Sequence, residues 1–351
     1  MPSSESPRGS ALPERMAAVL LRGHGGFEQL EYREDVPVPR PGLRQVLLRI
    51  GGAALNNTDI NTRTGWYSRS NTAVEDAGWG GNPVRFPRIQ GADACGRIVA
   101  LGAEVEPARL GERVLVDPVL REAGPVYFGS DCDGAFAQFA TVPAVNACRI
   151  DSGMSDIELA SFPCAYAAAE NMLARADVGA SDTVLVTGAS GGVGSAAVQL
   201  ARRRGATVIA LTDKPDFVAA LGATVIDRDA DLLRELGHDT VTVVVDVVGG
   251  DAFGKRLEIL RRFGRYVVAG AVAGARVPMD LRTLYLRDLS LLGCTLFAPA
   301  VFRALVRYIE RGEIRPLVSA EYPLSEIVAA QRHFLAAGHV GKIGLRPPPD
   351  D

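Results

Sequence analysis

Seven residues, Gly188 to Gly194, carry four glycines within VLVTGASGGVGSAAVQLARRRGATVIALT, the stretch from Val184 to Thr212. An apolar run precedes them and an Ala-rich segment follows. A strand entering at Thr187 must reverse sharply into a helix, and glycine tolerates the positive φ such a turn requires. The spacing of Gly188, Gly191 and Gly194 lets one ease the turn, one admit a ligand close to backbone, and one pack the new helix against a sheet. Gly192 adds clearance. A helix starting there presents unsatisfied N–H groups and a partial positive charge, which suits a pyrophosphate. Val193, Ala197, Leu200 and Ala201 form an apolar stripe at i, i+4, i+7 and i+8, the face such a helix turns to the sheet. With a strand before, a helix after and TVIALT arriving next, the pattern predicts dinucleotide binding, with Ser190 and Val193 in the same cradle.

The end of the second strand decides which dinucleotide. An acidic residue there bonds the ribose hydroxyls of NAD. Here the strand ends at Thr212, followed by Asp213 and Lys214. Thr212 can donate to a 2′-phosphate and Lys214 can neutralise it. Asp213 reads as a first-turn acid for the helix that begins near Pro215. The expectation is NADP(H) in preference to NAD(H).

Other chemistries find little support. The five cysteines, Cys95, Cys132, Cys148, Cys164 and Cys294, stand far apart with no CxxC pair, which argues for reduced thiols and against a four-cysteine zinc lobe. No Ser-His-Asp or paired-carboxylate arrangement follows from spacing. A net charge of −3 gives no general grip on nucleic acid or anionic membrane. No apolar stretch approaches the ~20 residues that span a bilayer. The polar N-terminus has no hydrophobic core of a secretory signal, so residues 1–15 are expected to form a disordered tail and the location to be cytoplasmic.

Distinct kinds of element must position the glycine-rich turn. The 351 residues, 47% apolar and 23% charged, suffice for two soluble domains. From Met16 onward QVLLRIGGAAL, CGRIVALG and ERVLVDP are short apolar runs closed by Gly or Pro, and GAFAQFATVP alternates like a half-buried strand. They predict an irregular, barrel-like β part. Gly65 to Pro87 lacks periodicity and reads as a surface insertion or a substrate lid. From about Leu159, TVLVTG, TVIALT, ATVID, VTVVVDVVG, GRYVVAGAV and LSLLGCT alternate with helical patterns, which implies a doubly wound parallel sheet. FRALVRYIERGE near the C-terminus is helical.

GASGGVG, VVVDVVGG, LYLRDLSLLGC, GADACGRIVALG and GHVGKIGL together resemble the medium-chain dehydrogenase/reductase superfamily, the alcohol dehydrogenases and quinone oxidoreductases, over nearly the whole chain. The resemblance implies an α/β protein: a Rossmann domain, 159–296, inserted in a GroES-like, mostly β catalytic domain, 16–158 and 297–351, with the active site in the cleft. Zinc members hold the metal through a Cys in a CHTD-like stretch, a His in GHE and a later Cys. The aligned positions here are Asn56 in NNTD, Ala92 in GAD, and Cys164. Alanine has no lone pair and an amide is a poor zinc ligand, so no catalytic metal is expected.

The resemblance therefore points to the zinc-independent, quinone oxidoreductase-like branch. It implies hydride transfer to a quinone or an α,β-unsaturated carbonyl, with hydrogen-bond donors meeting charge on the carbonyl oxygen. The alternatives are an alcohol or polyol dehydrogenase, or a nucleotide-binding protein without turnover. By the same resemblance Asn56 and Tyr67 are the candidate donors, and Thr58 a hydroxyl facing substrate or cofactor. Asp59 reads as capping a local helix, and Cys164 as a pocket-lining residue or a buried small hydrophobe. Val248, Gly249, Ala269, Gly270 and Lys342 are candidate cofactor contacts, Lys342 near the phosphate. A homodimer paired through the sixth Rossmann strand is expected, with a small-molecule substrate.

Overall fold

The computed structural model describes residues 12–68, 77–122 and 124–349. The chain enters through β1 (Arg15–Leu21), β2 (Leu30–Pro37) and β3 (Gln45–Ala54), then α1 (Asn57–Thr64). There follow β4 (Arg88–Ile89), β5 (Asp93–Leu101), β6 (Arg113–Val116), β7 (Val119–Leu120), β8 (Val126–Tyr127), β9 (Phe139–Pro143) and β10 (Ala147–Arg149). Helices α2 (Asp156–Ala160) and α3 (Pro163–Arg175) lead to the middle of the chain. There β11 (Thr183–Val186), α4 (Gly192–Arg203), β12 (Thr207–Thr212), α5 (Pro215–Ala219), β13 (Thr224–Asp227) and α6 (Leu232–Leu236) alternate. The alternation continues with β14 (Val241–Asp246), α7 (Phe253–Glu258), β15 (Leu260–Val268), α8 (Leu281–Tyr285) and β16 (Ser290–Gly293). The return runs through α9 (Pro299–Glu310), β17 (Val318–Pro323), α10 (Ile327–Leu335) and β18 (Lys342–Arg346).

The six middle strands form one sheet in the order β13-β12-β11-β14-β15-β16, and every pair in it is parallel. Val184, Leu185, Val186, Val243, Val244 and Val245 are buried, as expected of strands covered on both faces. The order reverses between β11 and β14, which opens a crevice at their carboxyl ends. The second large sheet runs β10-β6-β5-β3-β18-β17, with β9 also paired to β3. Its β18 comes from the far end of the chain and lies antiparallel to β3, pairing Gly344 with Ala54. This is the GroES-like fold with a Rossmann sheet that the sequence implies.

Three details differ from the sequence reading. Regular strand within GAFAQFATVP is confined to β9, because Gly134, Ala135 and Phe136 donate their N–H groups across to Ile89, Gly91 and Gln90. Helix α9, assigned on sequence grounds to the catalytic part, packs on α3 and buries Phe302, Leu305 and Ile309 in the core shared with the parallel sheet. Its apolar stripe needs a partner, and α3 supplies one. The expected N-terminal tail lies partly outside the described residues, and Arg15 already belongs to β1. Of the insertion between Gly65 and Pro87, residues 69–76 lie outside the described residues. Its Trp79 stacks on Tyr127 with ring centroids 4.6 Å apart.

Candidate active site

The glycine-rich turn leaves β11 at the crevice. Gly188 adopts φ +56°, a conformation that side chains rarely tolerate. A Cβ at Gly194 would stand 2.1 Å from the Gly188 carbonyl oxygen, so α4 can close onto the turn only with glycine there. Gly191 is extended and caps α4, which places the first N–H groups of that helix, at Gly192, Val193 and Gly194, without intrahelical partners. They form an anion cradle of the kind that a nicotinamide dinucleotide's pyrophosphate occupies. The return segment closes one side of it: Gly341 N donates to Ser190 O at 2.7 Å, and Gly191 and Gly341 form a β-bridge.

Asp246, fully buried at the end of β14, fixes the neighbouring loop. It accepts from Thr187 Oγ1 at 2.6 Å, from Val248 N at 2.9 Å and from the Tyr266 hydroxyl at 2.6 Å, and pairs with Arg256 Nη1 at 3.1 Å. Val248 is thereby held against Gly188, 3.2 Å from where a Cβ would lie. Gly249 takes φ +64°. Ala269 N donates to Asp246 O at 3.2 Å, and a Cβ on Gly270 would be 2.9 Å from Val247 O. Of the four predicted residues at these strand ends, Val248 lies against the glycine-rich turn, and Gly249, Ala269 and Gly270 are bonded or packed onto the end of β14 that carries it. Asp246, which organises them, was not singled out from sequence; a lone acid in an otherwise apolar run was the available signal.

At the end of β12 the buried Thr212 accepts at Oγ1 from Lys214 N, 2.9 Å away. Asp213 is held between two cations, Lys214 Nζ at 3.5 Å and Arg228 Nη1 at 3.0 Å. Lys214 Nζ also donates to Ala337 O at 3.0 Å, which ties it to the return segment. Arg228, just past β13, escaped the sequence reading because nothing local marks it. Arg228 is shared with a second carboxylate, its Nε lying 3.5 Å from Asp229 Oδ2, so the two cations and two carboxylates here balance in charge.

The substrate end is built where α1 starts. Tyr67, two residues past the left-handed Gly65 that ends α1, places its hydroxyl 3.4 Å from Thr58 Oγ1 and 3.4 Å from Asn61 Nδ2. Burial raises the Tyr67 pKa, so the group is a neutral donor, and it lies within electrostatic reach of Cys164 and Asp59. Tyr127 OH donates to Cys164 Sγ at 3.1 Å. Burial pushes the Cys164 thiol up to about 12, so it stays protonated.

Asn56 and Lys342 depart from expectation. Asn56 is buried and its amide is occupied on both sides: Nδ2 donates to Asp93 Oδ2 at 2.9 Å, and Oδ1 accepts from Lys342 Nζ at 2.5 Å. It does not share in the Tyr67–Thr58 pair. The Lys342 ammonium, expected at a phosphate, instead contacts Leu55 O at 2.6 Å and Asp93 Oδ2 at 2.8 Å as well. Only its stem borders the turn, at Gly192, where a Cβ would meet Lys342 Cδ at 2.9 Å. Asp93 completes the junction by accepting Cys164 N at 2.7 Å at the start of α3. Asp59 does cap α1, taking Asn56 N at 2.8 Å on Oδ2, while its buried Oδ1 has no partner. Burial pushes this carboxyl up to about 7.

Residues 42–152 match the family described as alcohol dehydrogenase GroES-like domain, and residues 192–311 the family described as zinc-binding dehydrogenase. The chain belongs to the medium-chain dehydrogenase/reductase superfamily. It is an oxidoreductase of that superfamily, whose members use a nicotinamide cofactor. The chain is 28% identical to acryloyl-coenzyme A reductase of Metallosphaera sedula, the match covering 94% of this chain and 99% of that protein. It is 26% identical to human quinone oxidoreductase, over 94% of this chain and 97% of the relative. A solved Sinorhizobium meliloti structure named for alcohol dehydrogenase superposes with a TM-score of 0.91 at 47% identity, covering 96% of this chain and 98% of that one.

Proposed function

We propose that this chain is an NADPH-dependent reductase of quinones or α,β-unsaturated carbonyls that works without a metal. The observation that carries the reading is a neutral hydroxyl couple, Tyr67 and Thr58, at the same helix start where Asn56, at an aligned ligand position, is tied with Asp93 to the Lys342 ammonium. Zinc does not fit the donors present. Asn56 offers an amide already bonded on both sides, and Ala92 offers nothing. Asp93 is occupied by Lys342 and by the start of α3. Among the described residues no group of three or more His, Cys, Asp or Glu is placed to hold a metal ion.

The glycine-rich turn, with Val248, Gly249, Ala269 and Gly270 beside it, would hold the dinucleotide, and Thr212, Lys214 and Arg228 would hold a 2′-phosphate. When bound, the nicotinamide supplies a hydride. The chain's own groups then have defined tasks. The Tyr67 hydroxyl, backed by Thr58, donates to the carbonyl oxygen as negative charge grows on it, which stabilises the transition state more than the ground state. Buried Tyr127 and the protonated Cys164 add two neutral groups beside that donor. An alkoxide from a simple alcohol would need a stronger electrophile than these neutral donors provide.

The similarity to acryloyl-coenzyme A reductase and quinone oxidoreductase supports this reading. The structure named for alcohol dehydrogenase favours a second one, an alcohol dehydrogenase. NADPH consumption with quinones, enones and aldehydes in parallel, repeated with NADH, tests the choice. Zinc analysis of the purified protein complements it: turnover that tracks stoichiometric zinc overturns the first reading. We propose a homodimer through β16, the edge strand of the parallel sheet, whose Leu291 is 38% exposed. Among the described residues no helix is long and apolar enough to cross a membrane.

A further inference from the structure

Of the 38 lysines and arginines in this chain, only Lys214, Lys255 and Lys342 are lysines. One of these three is 2% exposed and sits at the substrate end of the cleft. Its ammonium has three N–H donors and three acceptors around it: Leu55 O at 2.6 Å, Asn56 Oδ1 at 2.5 Å and Asp93 Oδ2 at 2.8 Å. A compact, rotatable ammonium matches this set, whereas a flat guanidinium does not. The acceptors come from the β3–α1 junction and β5, and the cation from β18 at the other end of the chain. Asp93 reaches onward to Cys164 N on α3 at 2.7 Å. A single positive charge therefore holds Asn56, one of the positions aligned with the zinc ligands of relatives, and reaches a second, Cys164, through Asp93.

The geometry points to the Lys342 ammonium as the resident cation of this site: it holds Asn56 and Asp93 in a closed arrangement that excludes a divalent ion. The inference rests on the metal-free reading above and adds what replaces the metal. Three consequences follow from charge and geometry. A second cation would stand beside the first with its best ligands already taken. The Asn56 amide is fixed in one orientation, with Oδ1 toward Lys342 and Nδ2 toward Asp93, so Asn56 positions Asp93 and leaves donation to Tyr67. Removal of the lysine side chain vacates a pocket whose chemistry is that of a small-cation site: a carboxylate, an amide oxygen and a backbone carbonyl.

With three lysines in the chain, lysine-selective 15N labelling of the full-length protein gives a direct test. The Nζ signal lost in Lys342→Arg is expected to be narrow and slow to exchange with water, and to stay unbroadened when equimolar Co2+ is added. A Lys342 signal exchanging as fast as that of Lys255, or broadened by Co2+, overturns the inference. Lys342→Ala supplies an independent arm. Methylammonium, which restores N–H donors, is expected to raise its melting temperature, whereas tetramethylammonium is not. The same variant is expected to take up one Co2+ per chain, and Lys342→Ala/Asp93→Ala none. A folded Lys342→Ala that responds to neither cation also overturns it, and if that variant does not fold, the wild-type Nζ signal decides. Zinc-dependent turnover in the wild type ends the metal-free reading, whereas a fast-exchanging Lys342 in a zinc-free, active enzyme ends this inference alone.

Discussion

The Tyr67 hydroxyl and Thr58 Oγ1 lie 3.4 Å apart across the N-terminal half of α1. The tyrosine donates across this long contact while Asn61 Nδ2 donates to its oxygen, so the O–H must rotate away from Thr58 to meet a ligand in the cleft. Removing the hydroxyl in Tyr67→Phe is expected to lower kcat by about 100-fold, the usual cost of losing one preorganised donor to a developing oxyanion. Thr58→Ala should cost less, because it only orients. Asn56→Ala should behave differently: it strips a partner from both Lys342 and Asp93, so stability falls by about 1–3 kcal/mol. Steady-state kinetics alongside thermal melts separate the two kinds of effect. A Tyr67→Phe enzyme with unchanged kcat would remove tyrosine from the mechanism.

Asp59 gives the fold a pH dependence with a definite sign. Burial pushes its carboxyl up to about 7, with Asp93 opposing ionisation and Lys342 favouring it. In the unfolded chain the group titrates near the ordinary value of ~3.9. Between those values the unfolded state has released the proton and the native state has not, so stability declines as pH rises from about 4 to about 7. The contribution is fully present below pH ~4 and gone above pH ~7. Asp59→Asn keeps an oxygen for the Asn56 N–H and removes the titration. Its melting temperature relative to wild type should therefore climb by several degrees between pH 4 and pH 8. A constant difference across that range would show that Asp59 does not titrate there.

The cation pair around Asp213 sets coenzyme preference in the proposed reading. Loss of either cation in Lys214→Ala or Arg228→Ala should raise the KM for NADPH about tenfold, equivalent to ~1.4 kcal/mol, and leave that for NADH nearly unchanged. Asp213→Ala should act in the opposite direction and tighten NADPH. If both coenzymes weaken equally, the two side chains serve the fold and not the 2′-phosphate.

Gly194→Ala tests the turn. Its Cβ would stand 2.1 Å from the Gly188 oxygen, a backbone atom that cannot swing away. Either the start of α4 or the turn must move, and overpacking of this kind costs about 1–3 kcal/mol. Coenzyme affinity measured by fluorescence should drop with it. Gly191→Ala, whose nearest neighbour would be at 3.4 Å, should be far milder in stability.

The fold was legible where residues act locally. Glycine spacing, the apolar stripe of α4 and the alternation of β-branched runs with helical segments all report on neighbours a few positions away. That an amide and an alanine stand at positions 56 and 92 could also be read, since it needs only residue identity. What stayed hidden was pairing across the chain. Nothing near Lys342 announces that its ammonium reaches Asn56 and Asp93, because strand β18 joins β3 only once the chain has returned. Arg228 and Tyr127 were invisible for the same reason. The partner of helix α9, α3, could not be read, because an amphipathic pattern says that a face is covered and not by what.

The β-bridge between Gly191 and Gly341 has a mechanical corollary. It fastens the mouth of the nucleotide cradle to the strand that carries Lys342, so the two lobes cannot part there without rupturing Gly341 N–Ser190 O. The deuterium uptake of one amide, that of Gly341, thus becomes a clock for detachment at this seam.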